Sequence, residues 1–445
     1  MSDAVPITPT GLEPLGPPPS IESLRLAKRA ALSGFVGTAM EWYDYFLYGS
    51  AAALVFPSLF FQGMGAGIAT LVSLASFGVS FLFRPLGGVI FGHFGDKVGR
   101  KKMLVITLML MGGGSFLIGC LPTAATIGAA APVLLVLLRI VQGIGLGGEW
   151  GGAAVVVVEC APPNKRGLYA SSMQMGVPAG QLASAGMVAL FSTLPGDAFL
   201  AWGWRVPFLL SGVLVLVGLW VRSKLEETPQ FQALASEHEQ KRLPIGDVLR
   251  TEKRSVFLLI FVQFGATVAY YMFTVYVLVY VTTNLGLPRT WALTGVLMGA
   301  GLELLTIPFW ARLSDRIGRR PVYAIGTLFM GLYAFPFFWL LDTQVRGLIW
   351  VAVLVGLGVG HAPTSALNGS LYSEQFPARL RYTGSSLAYQ VSSVVAGAPA
   401  PIVAAALVAA TGSPKAVSIY LAGGALISLI AIALLRETYR DRLVL

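Results

Sequence analysis

Twelve apolar runs divide this chain, at about 30–57, 67–92, 103–121, 132–159, 167–194, 203–221, 255–283, 291–311, 322–341, 346–373, 384–411 and 415–435. Each is long enough to cross the ~30 Å hydrocarbon layer of a bilayer as a helix. Inside lipid every backbone N–H and C=O must be bonded within the helix or within a closed barrel. None of the runs has the ~10-residue apolar–polar alternation of a barrel strand. The expected fold is therefore all-α and integral to the membrane. Composition excludes the other classes: charged residues are 12% of the 445, where a soluble domain carries about 25%. A hydrophobic content of 55% excludes a disordered chain, and two cysteines exclude a disulfide scaffold. Cys120 and Cys160 fall near opposite ends of their spans, so no bridge between them is expected.

The net charge of +10 does not indicate a nucleic-acid partner, because the basic residues cluster between the spans. With both termini in the cytoplasm, 25 of the 31 Lys and Arg fall on the inner side, the orientation that the positive-inside rule favours. The expected organisation is a flexible cytoplasmic tail at 1–29, a six-helix bundle at 30–221, a charged cytoplasmic loop at 222–254, a second six-helix bundle at 255–435 and a cytoplasmic tail at 436–445. Six prolines among the first twenty residues and no early basic cluster argue against a cleavable signal peptide.

The two halves repeat each other. Asp96-Lys-Val-Gly99-Arg100-Lys101 after span 2 matches Asp315-Arg316-Ile-Gly318-Arg319-Arg320 after span 8, and the two aspartates are 219 residues apart. Glu159 and Arg166 recur as Glu374 and Arg381, each 215 residues on. These loops, with Arg139-Ile-Val-Gln142-Gly143-Ile-Gly145 in span 4, resemble the signatures of the major facilitator superfamily. Glu41-Trp42-Tyr43-Asp44-Tyr45, Phe83-Arg84-Pro85-Leu86-Gly87-Gly88, Gly147-Gly148-Glu149-Trp150-Gly151-Gly152 and Trp202-Gly203-Trp204-Arg205 are similar to the metabolite:proton symporters within it. That group includes shikimate-type organic-acid and proline/betaine carriers. The resemblance implies two six-helix halves related by a pseudo-two-fold axis along the membrane normal, working by alternating access.

Charge inside a bilayer is costly and functional by default, at ~2.5–3.5 kcal/mol per group at the helix centre. Here it is confined to Glu41, Asp44, Arg84, Arg139, Glu149 and Glu303. Glu41, Asp44, Tyr45 and Tyr48 follow i, i+3, i+4, i+7 and share one helix face, expected to line a central cavity. A carboxylate that gains and loses an arginine partner changes its proton affinity, and arginine stays charged throughout. Asp44 is the first expected proton carrier with Arg139 as its partner, a pairing that the resemblance also implies; Glu41 is the second. Glu149 is either a further proton site or a hydrogen-bonding anchor between helices, and the glycines around it are read as packing. The 219-residue offset carries Arg84 onto Glu303, placing the two at equal depth, either in one charge network or each with its own partner.

The expected substrate contacts are Arg84, Arg139, Tyr45, Tyr48, Gln174, Gln263, Tyr271, Glu303, Asn368 and Gln390. His361, the sole histidine within a span, is read as a satisfied core residue rather than a titrating one. Asp96 and Asp315 are expected to close short turns. By the resemblance Arg100 and Arg319 sit near Glu159 and Glu374, forming gates on the inner side.

No phosphate-binding loop, metal-spaced His/Cys cluster or nucleophile motif is present, so no enzyme activity, cofactor or metal is expected. The expected function is proton-coupled uptake of a small carboxylate-bearing metabolite by a monomer in the cytoplasmic (inner) membrane, with the substrate, protons and lipid as its partners. Intramembrane arginines favour a carboxylate because guanidinium binds it bidentately. The alternatives are a proton antiporter exporting organic compounds, a betaine or proline symporter, and a non-transporting sensor. Gly176-Val-Pro178-Ala-Gly180 only partly echoes an antiporter motif, and the tails are short for a sensor.

Overall fold

The computed structural model describes residues 20–195, 197–228, 230–232, 244–397 and 399–441. Its long helices are α1 (Ile21–Leu54), α2 (Gly67–Val98), α3 (Arg100–Cys120), α4 (Ala130–Cys160), α5 (Pro163–Ser192), α6 (Phe199–Ser223), α7 (Lys253–Asn284), α8 (Arg289–Ile317), α9 (Arg319–Asp342), α10 (Arg346–Glu374), α11 (Ala378–Thr411) and α12 (Lys415–Leu434). Eleven are long and apolar enough to cross a membrane. The twelfth, α1, has ample length but concentrates Glu41, Asp44 and several aromatic hydroxyls on its buried side.

The turn between α2 and α3 and its repeat between α8 and α9 are each made by a glycine at positive φ, Gly99 at 126° and Gly318 at 109°. A side chain is strained there, which is why both loop signatures carry glycine. Within the first half, α4 packs on α2 through small residues: a Cβ at Gly143 would lie 2.6 Å from the Ser80 carbonyl oxygen. Between halves, α2 lies against α11 and α5 against α8, while α4 and α5 meet α10 at the end that carries the loop signatures.

That signature end is closed by polar contacts. The Asp96 carboxylate accepts from the backbone N–H groups of Tyr382 (3.3 Å) and Thr383 (2.9 Å) and from the Thr383 hydroxyl (2.8 Å). Asp315 accepts from Gly167 N–H (2.8 Å) and Leu168 N–H (2.9 Å). Each loop aspartate thus caps a helix of the opposite half. They do not simply close their own turns, because the start of the facing helix offers free N–H donors. Arg100 meets Glu159 at 3.0 Å and Arg319 meets Glu374 at 3.1 Å, the pairings the resemblance implies.

Three boundaries differ from the sequence reading. Helix α1 begins at Ile21, with Ser20 as its cap, so residues 21–29 are helix rather than flexible tail. Ala27 and Ala30 are buried on one face, which extends the helix beyond the apolar run; residues 1–19 lie outside those described. Arg222 is not a loop residue: it ends α6, is 1% exposed, and bonds to the Glu149 carboxylate and the Leu104 carbonyl. The segment 436–441 is docked: Glu437 accepts from the N–H groups of Arg319 (3.0 Å) and Arg320 (2.9 Å), and Thr438 donates to Glu374 (2.8 Å). Glu227 does the same for Arg100 and Lys101 in the first half. Of the central segment 222–254, residues 229 and 233–243 lie outside those described, and Pro244–Thr251 is a short helix.

Candidate functional site

A cavity of about 50 Å³ lies between the halves near mid-bundle. Trp42 of α1, Arg84 of α2 and Gln174 of α5 wall it on one side; Gln263, Tyr270 and Tyr271 of α7, His361 and Asn368 of α10 and Tyr389 of α11 face them. Towards the signature end Trp150 stacks on Tyr389 at 3.6 Å between ring centroids and donates to Gln174 (3.1 Å). Away from it, the hydroxyls of Tyr45 and Tyr271 stand 3.5 Å apart.

The wall is rich in buried polar atoms that bond to nothing in the protein: Arg84 Nε, Tyr270 Oη and Asn368 Oδ1. Native structures seldom leave such groups unpaired except where a ligand or water completes them. Arg84 has its guanidinium 4.5 Å from the Phe81 ring and 5.3 Å from the Tyr45 ring, with no carboxylate in ion-pair range among the described residues. No Asp or Glu lines the cavity among the described residues.

Behind the wall lies the predicted charged face of α1. Glu41 is buried with Oε2 unpartnered, and the charges acting on it are first Arg84, then Glu149. Asp44 accepts from Ser211 of α6 (2.6 Å) and faces Ser115 of α3. Arg139 makes no ion pair with Asp44. Its Nη1 donates to Gln142 (3.3 Å), Gln142 donates to Ser115 (2.7 Å), and the guanidinium lies 4.2 Å over the Tyr48 ring. A polar chain Arg139–Gln142–Ser115–Asp44 therefore stands where direct contact was expected. Ser115 and Ser211 were overlooked because a lone hydroxyl in an apolar run looks like ordinary helix glue.

Other expectations sort by geometry. Gln174, Gln263, Tyr271 and Asn368 reach the cavity as expected, and Arg84 is on its wall. Tyr48, Gln390 and Glu303 are held elsewhere: Tyr48 by Ser76 (2.8 Å), Gln390 by the Gly147 carbonyl (3.2 Å), Glu303 by His361 (2.7 Å). Arg84 and Glu303 share no network. Equal depth on symmetry-related helices does not fix which way a side chain faces, and Glu303 turns to α10 of its own half. His361 is both partnered and on the cavity wall, so reading it as core was incomplete. Glu149 anchors helices, bonding Arg222 of α6 and Thr107 of α3 (2.7 Å).

The described residues place twelve long helices in two halves around a polar cavity, and the family and relatives that the chain matches are membrane transporters rather than enzymes. The chain belongs to the major facilitator superfamily, whose family pattern matches residues 34–401 and 305–443. It is 45% identical to the shikimate transporter of Escherichia coli over 94% of this chain and 96% of that one. It is 36% identical to the glycine betaine/proline/ectoine/pipecolic acid transporter OusA of Dickeya dadantii, covering 92% and 83%. The fold matches the proton:xylose symporter XylE of E. coli bound to 6-bromo-6-deoxy-D-glucose, with a TM-score of 0.74 at 19% identity over 95% of this chain and 98% of that one.

Proposed function

We propose that this chain imports a small carboxylate together with a proton across a bacterial inner membrane, and that its substrate is of the kind the related shikimate transporter carries. The observation that carries this is Arg84, a cation on the cavity wall with an unpartnered Nε and, among the described residues, no carboxylate within ion-pair distance. A carboxylate entering there completes a charge-assisted pair in a site of low dielectric. Glu41 behind Arg84 links the proton to the substrate: ionised, it holds the guanidinium's charge; protonated, it leaves that charge to the substrate. Asp44 takes the proton from the outer side, and the chain through Ser115 and Gln142 connects it to Arg139. The signature end is the cytoplasmic one, with both termini inside, and its caps and ion pairs hold the inner gate shut until the halves rock.

A second reading has support of its own. The rings of Trp42, Tyr270, Tyr271 and Tyr389 around the cavity suit a quaternary ammonium, as in betaine. Proteoliposomes with an imposed inward proton gradient separate the two. Labelled shikimate is expected to accumulate, to stop accumulating with a protonophore, and to lose affinity by about 10- to 150-fold in Arg84→Gln, the worth of one charged hydrogen-bonded contact. Accumulation of labelled glycine betaine in place of shikimate, undiminished in Arg84→Gln, would move the assignment to the second reading.

A further inference from the structure

On the reading that the cavity takes a carboxylate at Arg84, we propose that Glu303 and His361 form its second anchor: Glu303 holds the imidazole so that Nε2 accepts a hydrogen bond from a substrate hydroxyl. Glu303 is the positioning residue and His361 the contact.

Glu303 and His361 are 2% and 6% exposed, and their Oε1 and Nδ1 atoms are 2.7 Å apart. A carboxylate at Nδ1 fixes the proton on that nitrogen, which leaves Nε2 of the neutral ring as an acceptor. No described residue bonds Nε2, and the ring lies on the cavity wall. The local backbone puts it there. Residues Gly356–His361 form a π-helical turn, a form that recurs at functional sites because it turns a side chain out of the ordinary helical register. Gly358 within that turn lets α10 close on α8, since a Cβ there would meet the side chain of Leu302, next to Glu303.

Two further unsatisfied groups of the same half line the cavity with the imidazole. The Tyr270 ring is 4.9 Å from the His361 ring with its hydroxyl unpartnered, and Asn368 Oδ1 is a second unpartnered acceptor. Two acceptors facing a cation across the cavity ask for a particular ligand: a carboxylate at one end and hydroxyl donors at the other. A betaine has no such donor, and neither has a carboxylate without hydroxyl groups. Either would leave Nε2 and Oδ1 buried and unpaired, which is how a polar site rejects an analogue lacking the hydroxyl. The substrate class is then a hydroxylated carboxylic acid, held by Arg84 of one half and His361 of the other.

Calorimetric titration of the purified protein with shikimate and with hydroxyl-free cyclohexene carboxylate tests this. The wild type is expected to prefer shikimate by about 5- to 150-fold, the cost of leaving one buried acceptor unpaired. In His361→Phe the preference should fall, because shikimate loses its bond to Nε2 while the hydroxyl-free acid, no longer leaving that acceptor unpaired, binds at least as well as to the wild type. Glu303→Gln, which still accepts from Nδ1–H, should keep the preference and Glu303→Leu should lose it. The proposal is overturned if the wild type shows no preference, if His361→Phe keeps it, or if both acids weaken equally, which would mark a structural role. Should His361→Phe fail to fold, the Glu303 pair decides, and a preference kept by both Gln and Leu overturns it. If the wild type binds neither acid, the carboxylate reading itself falls; if it binds both and only the His361 and Glu303 outcomes fail, that reading stands.

Discussion

Asp44 is buried with its carboxylate on the Ser211 and Ser115 hydroxyls rather than on an arginine. Asp44→Asn keeps the volume of that side chain and an acceptor oxygen for Ser211, and removes its charge and its ability to carry a proton. Uptake of shikimate against its gradient is expected to vanish, while exchange of labelled for unlabelled substrate persists; accumulation by the mutant would remove Asp44 from the coupling path. That Asp44 mattered could be read from the sequence, because one charge in a long apolar run is a discrete and costly event. Its partner could not, since four helices converge on it and periodicity reports the face of one helix at a time. The same limit explains Glu303, where the offset gave depth and a π-helical turn in α10 decided the partner. Arg222 shows a different failure. At the end of an apolar run an arginine satisfies the positive-inside rule, so nothing in the sequence separates an orienting charge from a buried partner for Glu149.

At the scale of elements, the helix count and order were legible because each crossing must bury a long apolar run, and the break between the halves was legible as the one long charged segment. Helix ends were less so. Helix α1 starts nine residues before its apolar run does, although Pro19 followed by Ser20-Ile-Glu-Ser23 is a start signal that hydropathy ignores. The reciprocal caps were visible as conserved spacing within the repeat, Asp96 with Asp315, but not as contacts across the halves. They make a local prediction. Asp315→Ala removes the acceptor for the N–H groups of Gly167 and Leu168 near the start of α5 and one of the two carboxylates paired with Arg319 (2.7 Å); the lost cap alone should lower stability by about 0.5–2 kcal/mol. Hydrogen exchange should quicken in the peptide holding residues 167–168, and remain slow at 382–383, where Asp96 still caps. Equal quickening at both sites would mean that the closed end opens as a unit and that neither cap acts locally.

For the whole molecule, the repeat is broken at one ion pair. Glu159 of α4 meets Arg100 of its own half and also Arg381 of the other, at 2.6 Å. Its counterpart Glu374 meets Arg319 of its own half, and Arg166 donates instead to the Asp441 carbonyl at 2.8 Å. Breaking a pair within one half leaves the closed and open arrangements of the halves equally affected, whereas breaking Glu159–Arg381 removes a contact that the closed state alone can make. Only a differential interaction of that sort shifts a conformational equilibrium. Glu159→Gln should therefore favour opening at the signature end by roughly 5- to 150-fold, the range of ordinary coupling energies, and Glu374→Gln should shift it less. Ala170 of α5 is buried against Gly369 of α10 at the interface between halves, so a cysteine there reports opening. With Cys120 and Cys160 replaced, maleimide labelling of Ala170→Cys should quicken strongly with Glu159→Gln and weakly with Glu374→Gln. Equal acceleration by both would show that the two gates act as one symmetric latch, with the crossing pair carrying no more of the closed state than its repeat.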